Sequence, residues 1–359
     1  MLKKPTWLSL GIAAVCAIQG SAWAIDNPGG GATYPVVYAV GYFRPFNDYN
    51  ATEAALWVDD FELPMMLTNT PDSLVATANI PLATSITMKG DNVYVAGTSV
   101  NSAGSRVATV WRNGAVLAQY PGVPLPPPYY DTNSHARTIT FSGADMYVLG
   151  GVYENGGETI WKNGVATKVS NLDPTSMVVT GTIAPTTYVT VNGPTYTYLR
   201  QNSIKYLLAD NAYAQDVKVS GGHAYVAGHL SGSAAQKAVY WKFDTVTHSI
   251  QTQSLWDGIH DSAAAAIAVS GSNVYVAGWE YDNTGYPAAK IWINGVGQTL
   301  GGGAGLYAYA QTIFIDGTDV YVGGSLAESP AVWKNGVLHM HGSGVEGGVG
   351  ALYVKRVPY

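Results

Sequence analysis

The chain has 359 residues, of which only 12% are charged, and its formal net charge is −6. Binding to nucleic acid requires a basic face that neutralises phosphates, and no cluster of Lys and Arg occurs, so the composition argues against a nucleic-acid partner. The same balance disfavours docking on an anionic membrane. Abundant Gly (42 residues) and many Tyr and Trp favour short strands and tight turns over helices.

The first 24 residues have the three parts of a secretory signal peptide. Lys3 and Lys4 precede an apolar run at 7–18, and Ala22-Trp23-Ala24 forms a small-x-small cleavage site. We therefore expect a protein secreted to the periplasm or the medium, with one domain over residues 25–359. The only cysteine, Cys16, lies inside this segment, so the mature chain would have no thiol for disulfides, metal binding or catalysis. No other apolar run is long enough to span a bilayer.

A tetrapeptide that begins with Tyr recurs along the chain and marks an internal repeat. Its copies are Tyr38-Ala-Val-Gly41, Tyr94-Val-Ala-Gly97, Tyr147-Val-Leu-Gly150, Tyr225-Val-Ala-Gly228, Tyr275-Val-Ala-Gly278 and Tyr321-Val-Gly-Gly324, with a degenerate copy at Tyr188-Val-Thr-Val191. Successive Tyr residues are 37 to 56 positions apart. This period is the size of one propeller blade and too long for leucine-rich or ankyrin repeats.

A second motif, Trp-x-Asn-Gly, follows most of these tetrapeptides. It reads Trp111-Arg-Asn-Gly114, Trp161-Lys-Asn-Gly164, Trp292-Ile-Asn-Gly295 and Trp333-Lys-Asn-Gly336. Asn-Gly between strands predicts a type I′ hairpin, because both central residues of that turn adopt positive φ. A Gly next to a small or polar residue precedes each tetrapeptide, as at Gly90-Asp91, and predicts another hairpin. Each unit is therefore interpreted as four antiparallel strands, A to D.

Seven such units are present, and two of them are irregular. The fourth, at about 177–208, has lost its Trp and Gly, with Tyr198-Leu-Arg-Gln-Asn202 where the second motif would stand. The first has no strand A before Tyr38, whereas a strand at about 350–356 follows the last strand D without a partner. The sequence thus predicts an all-β, seven-bladed β-propeller of four-stranded antiparallel blades, in which the C-terminal strand completes the first blade and closes the ring.

With these YVAG and WxNG repeats the chain resembles the secreted, bacterial-type seven-bladed β-propellers built from the same motifs. The resemblance covers nearly the whole mature chain, and the Gly-His and Trp-Asp signature of WD40 propellers is missing. It implies the fold and selects no activity, because propellers include lyases, lactonases, lectins and scaffolds.

Strand alternation predicts that the B–C loops and the blade-to-blade connections share one face, here called the loop face, while the short A–B and C–D turns form the turn face. Variable loops on a rigid scaffold usually carry binding. Flat rings cover the apolar side of a sugar and carboxylates accept its hydroxyls, so the expected partner is a glycan or a peptide. The candidate ligand-binding residues are Tyr42, Arg44, Tyr129, Tyr130, Asp131, His135, Tyr153, Tyr213, Asp216, Trp256, His260, Trp279, Tyr281 and Tyr307.

The alternative interpretations are catalytic and structural. Any of these rings could simply pack adjacent loops. No catalytic residue, cofactor or metal is assigned; His339 and His341 could face one side of strand D, but the sequence shows no third ligand nearby. An enzymatic alternative is a polysaccharide lyase or hydrolase that uses His135, His260 and Arg44 with the tyrosines. Another is a self-assembling surface or matrix component. The leading prediction is a binding or interaction module.

Overall fold

The computed structural model describes residues 33–44, 52–59, 65–67, 82–101, 105–120, 133–152, 157–232, 235–342 and 346–358. The predicted signal peptide lies outside this range. The chain forms two compact units, a small one of Met1–Pro35 with Arg356–Tyr359 and a large one of Val36–Lys355. Among the described residues, no helix is long and apolar enough to cross a membrane.

Seven four-stranded antiparallel sheets, the blades, are arranged in a ring. Blade one contains β28 (Glu346–Pro358), β1 (Thr33–Arg44), β2 (Glu53–Val58) and β3 (Met65–Met66), and blade two contains β4 (Leu82–Lys89), β5 (Asn92–Val100), β6 (Arg106–Arg112) and β7 (Ala115–Tyr120). Blade three contains β8 (Ser134–Ser142), β9 (Asp145–Val152), β10 (Gly157–Lys162) and β11 (Val165–Lys168), and blade four contains β12 (Asp173–Thr180), β13 (Thr186–Asn192), β14 (Tyr196–Gln201) and β15 (Ile204–Asp210).

The remaining three blades have the same order of strands. Blade five contains β16 (Ala212–Ser220), β17 (His223–Ser231), β18 (Gln236–Asp244) and β19 (Ile250–Ser254), and blade six contains β20 (Ser262–Ser270), β21 (Asn273–Tyr281), β22 (Pro287–Ile293) and β23 (Val296–Thr299). Blade seven contains β24 (Ala308–Asp316), β25 (Asp319–Leu326), β26 (Ser329–Lys334) and β27 (Val337–His341). The predicted fold class is confirmed.

The C-terminal strand closes the ring, as predicted. β28 lies beside β1 in the sheet of blade one and takes the place of its missing strand A. Side chains close the ring as well, because Trp57 of blade one shares a buried cluster with Tyr321 and Val332 of blade seven.

A Trp from strand C fills the interface between each of six blades and the blade before it. Each of the six is at most 4% exposed and stands opposite the residue after the tetrapeptide Tyr, as Trp333 stands opposite Val322. Trp333 packs with Ala289 and Ile291 of blade six. The six are Trp57, Trp111, Trp161, Trp241, Trp292 and Trp333. Since aromatic side chains bury the most apolar area per residue, these contacts dominate the cohesion between blades.

The Asn of each Asn-Gly turn joins the two hairpins of its blade. Asn335 (φ 51°) and Gly336 (φ 83°) have the positive φ pair of a type I′ turn, as predicted. Asn335 Oδ1 accepts a hydrogen bond from Val320 N (2.8 Å), and its Nδ2 donates to Asp319 Oδ1 (2.9 Å). The same two bonds recur at Asn113, Asn163 and Asn294. The motif therefore recurs because it builds the blade.

A β-bulge in strand A explains the Gly that ends each tetrapeptide. In β24 the extra residue is Gln311, between Ala310 and Thr312. The bulge brings the Tyr309 carbonyl oxygen to 1.9 Å from where a Cβ on Gly324 would lie, so no side chain fits there. The equivalent distance is between 1.8 and 2.1 Å at Gly41, Gly97, Gly150, Gly228 and Gly278.

Blade four replaces the interface Trp with a buried ion pair. Strand register places Arg200 opposite Val189, where the other blades have Trp. Arg200 Nε donates to Glu158 Oε1 of blade three (2.9 Å), and Ser170 Oγ donates to Glu158 Oε2 (3.0 Å). Arg200 is 4% exposed and Glu158 is fully buried.

The position of Glu158, three residues before the Trp of its own blade, is Ala in four other blades. Those alanines are Ala54, Ala108, Ala238 and Ala289, and each packs against the Trp of the following blade. At the interface of blades three and four, an Ala–Trp contact has therefore been exchanged for a Glu–Arg contact.

Restoring the common contact should rescue the loss that either single change causes. Glu158→Ala or Arg200→Trp alone leaves one buried charge unpaired and should destabilise by about 3–5 kcal/mol. The double variant rebuilds an Ala–Trp contact and should unfold with a free energy equal to or above that of the unaltered protein. Urea denaturation of the four proteins tests this cycle. A double variant as unstable as the sum of the two single variants would contradict the exchange.

Deleting residues 350–359 removes most of β28 and leaves β1 without its inner partner. Because the loss opens the ring at blade one, we expect the melting temperature to fall by more than about 10 °C. Removing only residues 358 and 359 is the control and should leave the thermal transition in place. An unchanged melting temperature for the longer deletion would sink the closure.

Candidate functional site

The inner strands surround an open central channel with a cavity of about 440 Å³. The extra residues of the strand A bulges line it, and all except Ala265 are polar: Thr84, Arg137, Thr175, Gln215 and Gln311. Thr84 Oγ1 donates to Ala136 O (2.9 Å) and Thr175 Oγ1 to Ala214 O (2.8 Å), so both threonines tie their blade to the next. The longer side chains are left to face the cavity.

A polar chain of five side chains crosses blades three to five where the channel opens on the loop face. Arg137 Nε donates to His135 Nε2 (3.3 Å), and Arg137 Nη2 lies 3.3 Å from Asp173 Oδ1. Tyr213 OH donates to Asp173 Oδ2 (3.4 Å), and the Tyr213 ring stacks on His229 with centroids 5.8 Å apart. His135, Asp173 and Tyr213 hold the same place in their strands, two residues before the bulge.

Burial keeps the uncharged members of the polar chain neutral near pH 7. It lowers the pKa of His135 to about 4, helped by the adjacent Arg137 guanidinium, and burial alone lowers the pKa of His229 to about 4. Burial, with Asp173 nearby, raises the pKa of Tyr213, which keeps its hydroxyl proton. The chain therefore presents one cation, Arg137, and one anion, Asp173, between neutral rings.

An aromatic wall continues the opening on blades six and seven, formed by Trp279, Tyr281, Tyr286, Tyr307 and Tyr309. Trp279 makes T-shaped contacts with Tyr281 (5.4 Å) and Tyr309 (5.9 Å), and Tyr286 makes one with Tyr307 (5.3 Å). Burial, with Tyr281 and Tyr307 close by, raises the pKa of Tyr309. None of the five rings is fully buried, so the wall offers aromatic surface to a ligand.

The other basic side chains near the channel also have carboxylate partners. Arg44 Nη1 lies 2.7 Å from Glu346 Oε1, Lys218 Nζ lies 2.8 Å from Asp216 Oδ1, and Lys290 pairs with Glu280. Together with Arg137 and Asp173, these pairs balance the charge around the opening.

The structure distributes the predicted site residues over several groups. His135 and Tyr213 belong to the polar chain, whereas Trp279, Tyr281 and Tyr307 belong to the aromatic wall. Asp216 lines the channel, where it accepts bonds from Ser176 Oγ (2.8 Å) and Ile267 N (3.1 Å) and so links blades four, five and six. Tyr129, Tyr130, Asp131 and Tyr153 lie outside the described residues.

The remaining predicted residues form local contacts of their own. Tyr42 and Arg44 end β1 beside β28, where burial and then Glu346 raise the pKa of Tyr42. In the loop before β20, Trp256 Nε1 donates to His260 O (2.7 Å), and His260 Nδ1 lies 2.7 Å from Asp257 Oδ2.

Two groups that were considered in the sequence are not assembled as expected. His135 contacts Arg137, whereas Arg44, the cation of the lyase hypothesis, pairs with Glu346. In β27 the register shifts at His339, so the strict alternation that would place His339 and His341 on one side is interrupted. No group of three or more His, Cys, Asp or Glu side chains within the described ranges could hold a metal ion.

Arg137 and Asp173 were missed among the candidates although they form the centre of the polar chain. A signal for Arg137 exists, because Ala136-Arg-Thr138 aligns with Ala83-Thr-Ser85 and Ala310-Gln-Thr312 as an unrepeated residue within a repeated strand. Comparing strand A across the blades would have found it.

No family model and no curated protein matches the sequence. Similar solved structures include a candidate 6-phosphogluconolactonase from Bacteroides uniformis, 13% identical, with a TM-score of 0.48 over 90% of this chain and 99% of that chain. Another is YCF48 bound to D1 peptide, 10% identical, with a TM-score of 0.43 over 90% and 96%. A third is an exo-β-1,3-galactanase from Phanerochaete chrysosporium, 9% identical, with a TM-score of 0.36 over 77% and 89%. At these values the likenesses concern the fold and carry no argument about activity.

The low pKa values of the two histidines predict that acid destabilises the protein. In the unfolded chain both protonate near pH 6.5, but in the folded state only near pH 4. The unfolded state thus binds more protons between these values, and stability is lost as the pH falls through this window. His229→Gln should reduce the drop in melting temperature between about pH 7 and pH 5. His135→Gln provides the parallel measurement, and an equal drop in both variants and the unaltered protein would contradict the assignment.

Proposed function

We propose that the protein is a secreted binding module whose loop face engages a glycan or a peptide. The observation that carries this proposal is that the polar chain and the aromatic wall border the same channel opening. The turn face, in contrast, consists of short hairpins that the blade itself requires, such as the Asn335–Gly336 turn.

The physical basis of the proposal is a rigid scaffold that presents varied side chains. The inner strands fix the positions of Asp173, Tyr213 and Tyr309, and ring contacts fix the orientation of Trp279. A ligand that binds there does not have to order these groups, so less conformational entropy is lost on binding. Aromatic surface supplies affinity and a few directed polar groups supply orientation, which is the usual division in ligand sites.

Secretion is part of the proposal and rests on the sequence. Lys3, Lys4, the apolar run at 7–18 and the Ala22-Trp23-Ala24 site together support export to the periplasm or the medium. The glycans and peptides of a cell envelope or its surroundings are then the accessible ligands.

Substitutions in the rim should weaken binding, whereas a substitution on the turn face should not. Immobilised protein screened against glycan and peptide arrays would supply a ligand, and Trp279→Ala or Asp173→Ala should each lower its affinity at least about tenfold. Val337→Ala, an exposed turn-face change, is the control and should bind as tightly as the unaltered protein. Affinity that depends on Val337 and is indifferent to both rim residues would overturn the proposal.

A further inference from the structure

We infer that the rim binds a neutral oligosaccharide, with a sugar ring stacked on the aromatic wall and its hydroxyl groups bonded to the polar chain. This inference rests on the proposed function and narrows it to one class of ligand. Three features of the described residues support it: the pairing of the charges, the position of the rings, and the interrupted edge of the inner strands.

The charges around the opening favour a neutral ligand. Arg137 pairs with Asp173, and the other nearby cations, Arg44, Lys218 and Lys290, have their own carboxylates. An acidic glycan would have to separate one of these pairs to gain a cation. A sugar hydroxyl can instead donate to a carboxylate and accept from a guanidinium at once, so it fits between Asp173 and Arg137 without leaving either charge unpaired.

The geometry of the Arg137–Asp173 pair leaves room for such exchange. The two distances from Arg137 Nη2 to the Asp173 oxygens are 3.3 and 3.5 Å, and both side chains are more than a third exposed. Long, solvated ion pairs contribute little stability, so a hydroxyl can insert at small cost. Tyr213, whose raised pKa keeps its proton, adds a donor beside Asp173.

The aromatic wall begins on the blade next to Tyr213. In blade six the inner strand has the small Ala263 at the position that Tyr213 occupies in blade five, and strand register places Trp279 opposite it. Ala263 is only 6% exposed, so the indole takes over this part of the rim, and Tyr309 of blade seven follows. A sugar ring stacked on Trp279 would thus lie between tyrosines, with the polar chain on one side.

The inner strands are poorly suited to an added peptide strand. Strand addition needs a regular row of backbone donors and acceptors along a sheet edge. In six blades a bulge interrupts strand A just below the rim, as at Arg137 and Gln311. Side chains, and not a backbone edge, are therefore what the rim offers, and hydroxyl groups match them better than an extended backbone does.

The test is calorimetric titration with defined oligosaccharides. Hexamers of neutral β-1,4-glucan, β-1,4-xylan, β-1,4-mannan and α-1,4-glucan serve as probes, with a hexamer of galacturonate as the acidic comparator and a random peptide library as the other class. We expect at least one neutral hexamer to bind more tightly than the galacturonate. Raising the salt concentration should change its affinity by less than about twofold, since no net charge is neutralised.

Matched variants locate the site. Trp279→Ala and Asp173→Asn should each lower the affinity for the neutral hexamer at least tenfold, and Trp279→Phe should retain more of it than Trp279→Ala. Val337→Ala is the control. Melting curves for each variant establish that it is folded, so a loss of binding is not a loss of structure.

The outcomes separate this inference from the function on which it rests. Binding of galacturonate or peptides alone, weakened by Trp279→Ala or Asp173→Asn, would overturn the neutral-glycan inference and keep the binding module. Binding that neither substitution weakens would overturn both. The absence of binding to every probe would overturn the inference.

Discussion

The contact between the Trp of one blade and the sheet of the blade before it is the interaction on which the rest of this structure depends. Each blade is a twisted sheet whose two faces must be covered, and a buried indole supplies most of that cover in six of the seven interfaces. Because Trp57 makes this contact with blade seven, the first and last blades are joined in the same way as any neighbouring pair. A fixed ring then holds the rim side chains in position.

The exception occurs in the blade that carries the centre of the polar chain. Blade four has Arg200 in place of the Trp and Val191 in place of the Gly, and its inner strand begins with Asp173. A buried Glu–Arg pair is no more stabilising than an apolar contact of similar size, so stability alone does not explain why it is present here. It does demand one fixed geometry between blades three and four, and Arg137 and Asp173 meet across that same pair of blades.

Much of the fold was accessible from the sequence because its causes are local. Asn-Gly predicted the type I′ turns, and the unpaired strand near 350–356 predicted the closure, since a hairpin signal and a missing partner need no tertiary information. The site was accessible only in part. His135, Tyr213 and Trp279 stood out as unrepeated residues at strand ends, but the bulge at Arg137 changes which residues face the channel, and simple alternation does not show a bulge. The partner of Arg44 could not be found either, because Glu346 lies 302 residues away and is adjacent only in the closed ring.

The electrostatic character of the rim follows from its burial as much as from its composition. Two of its titratable side chains, His135 and His229, are held neutral by desolvation, and its cations are matched one by one with carboxylates. A rim of this kind exerts little long-range attraction on a charged molecule, so selectivity has to come from contacts made after arrival. Those contacts are ring surface on one half and paired donors and acceptors on the other. The same two features, an apolar face and an edge of hydroxyls, are combined in a single sugar ring, whereas a peptide would have to supply them from separate side chains.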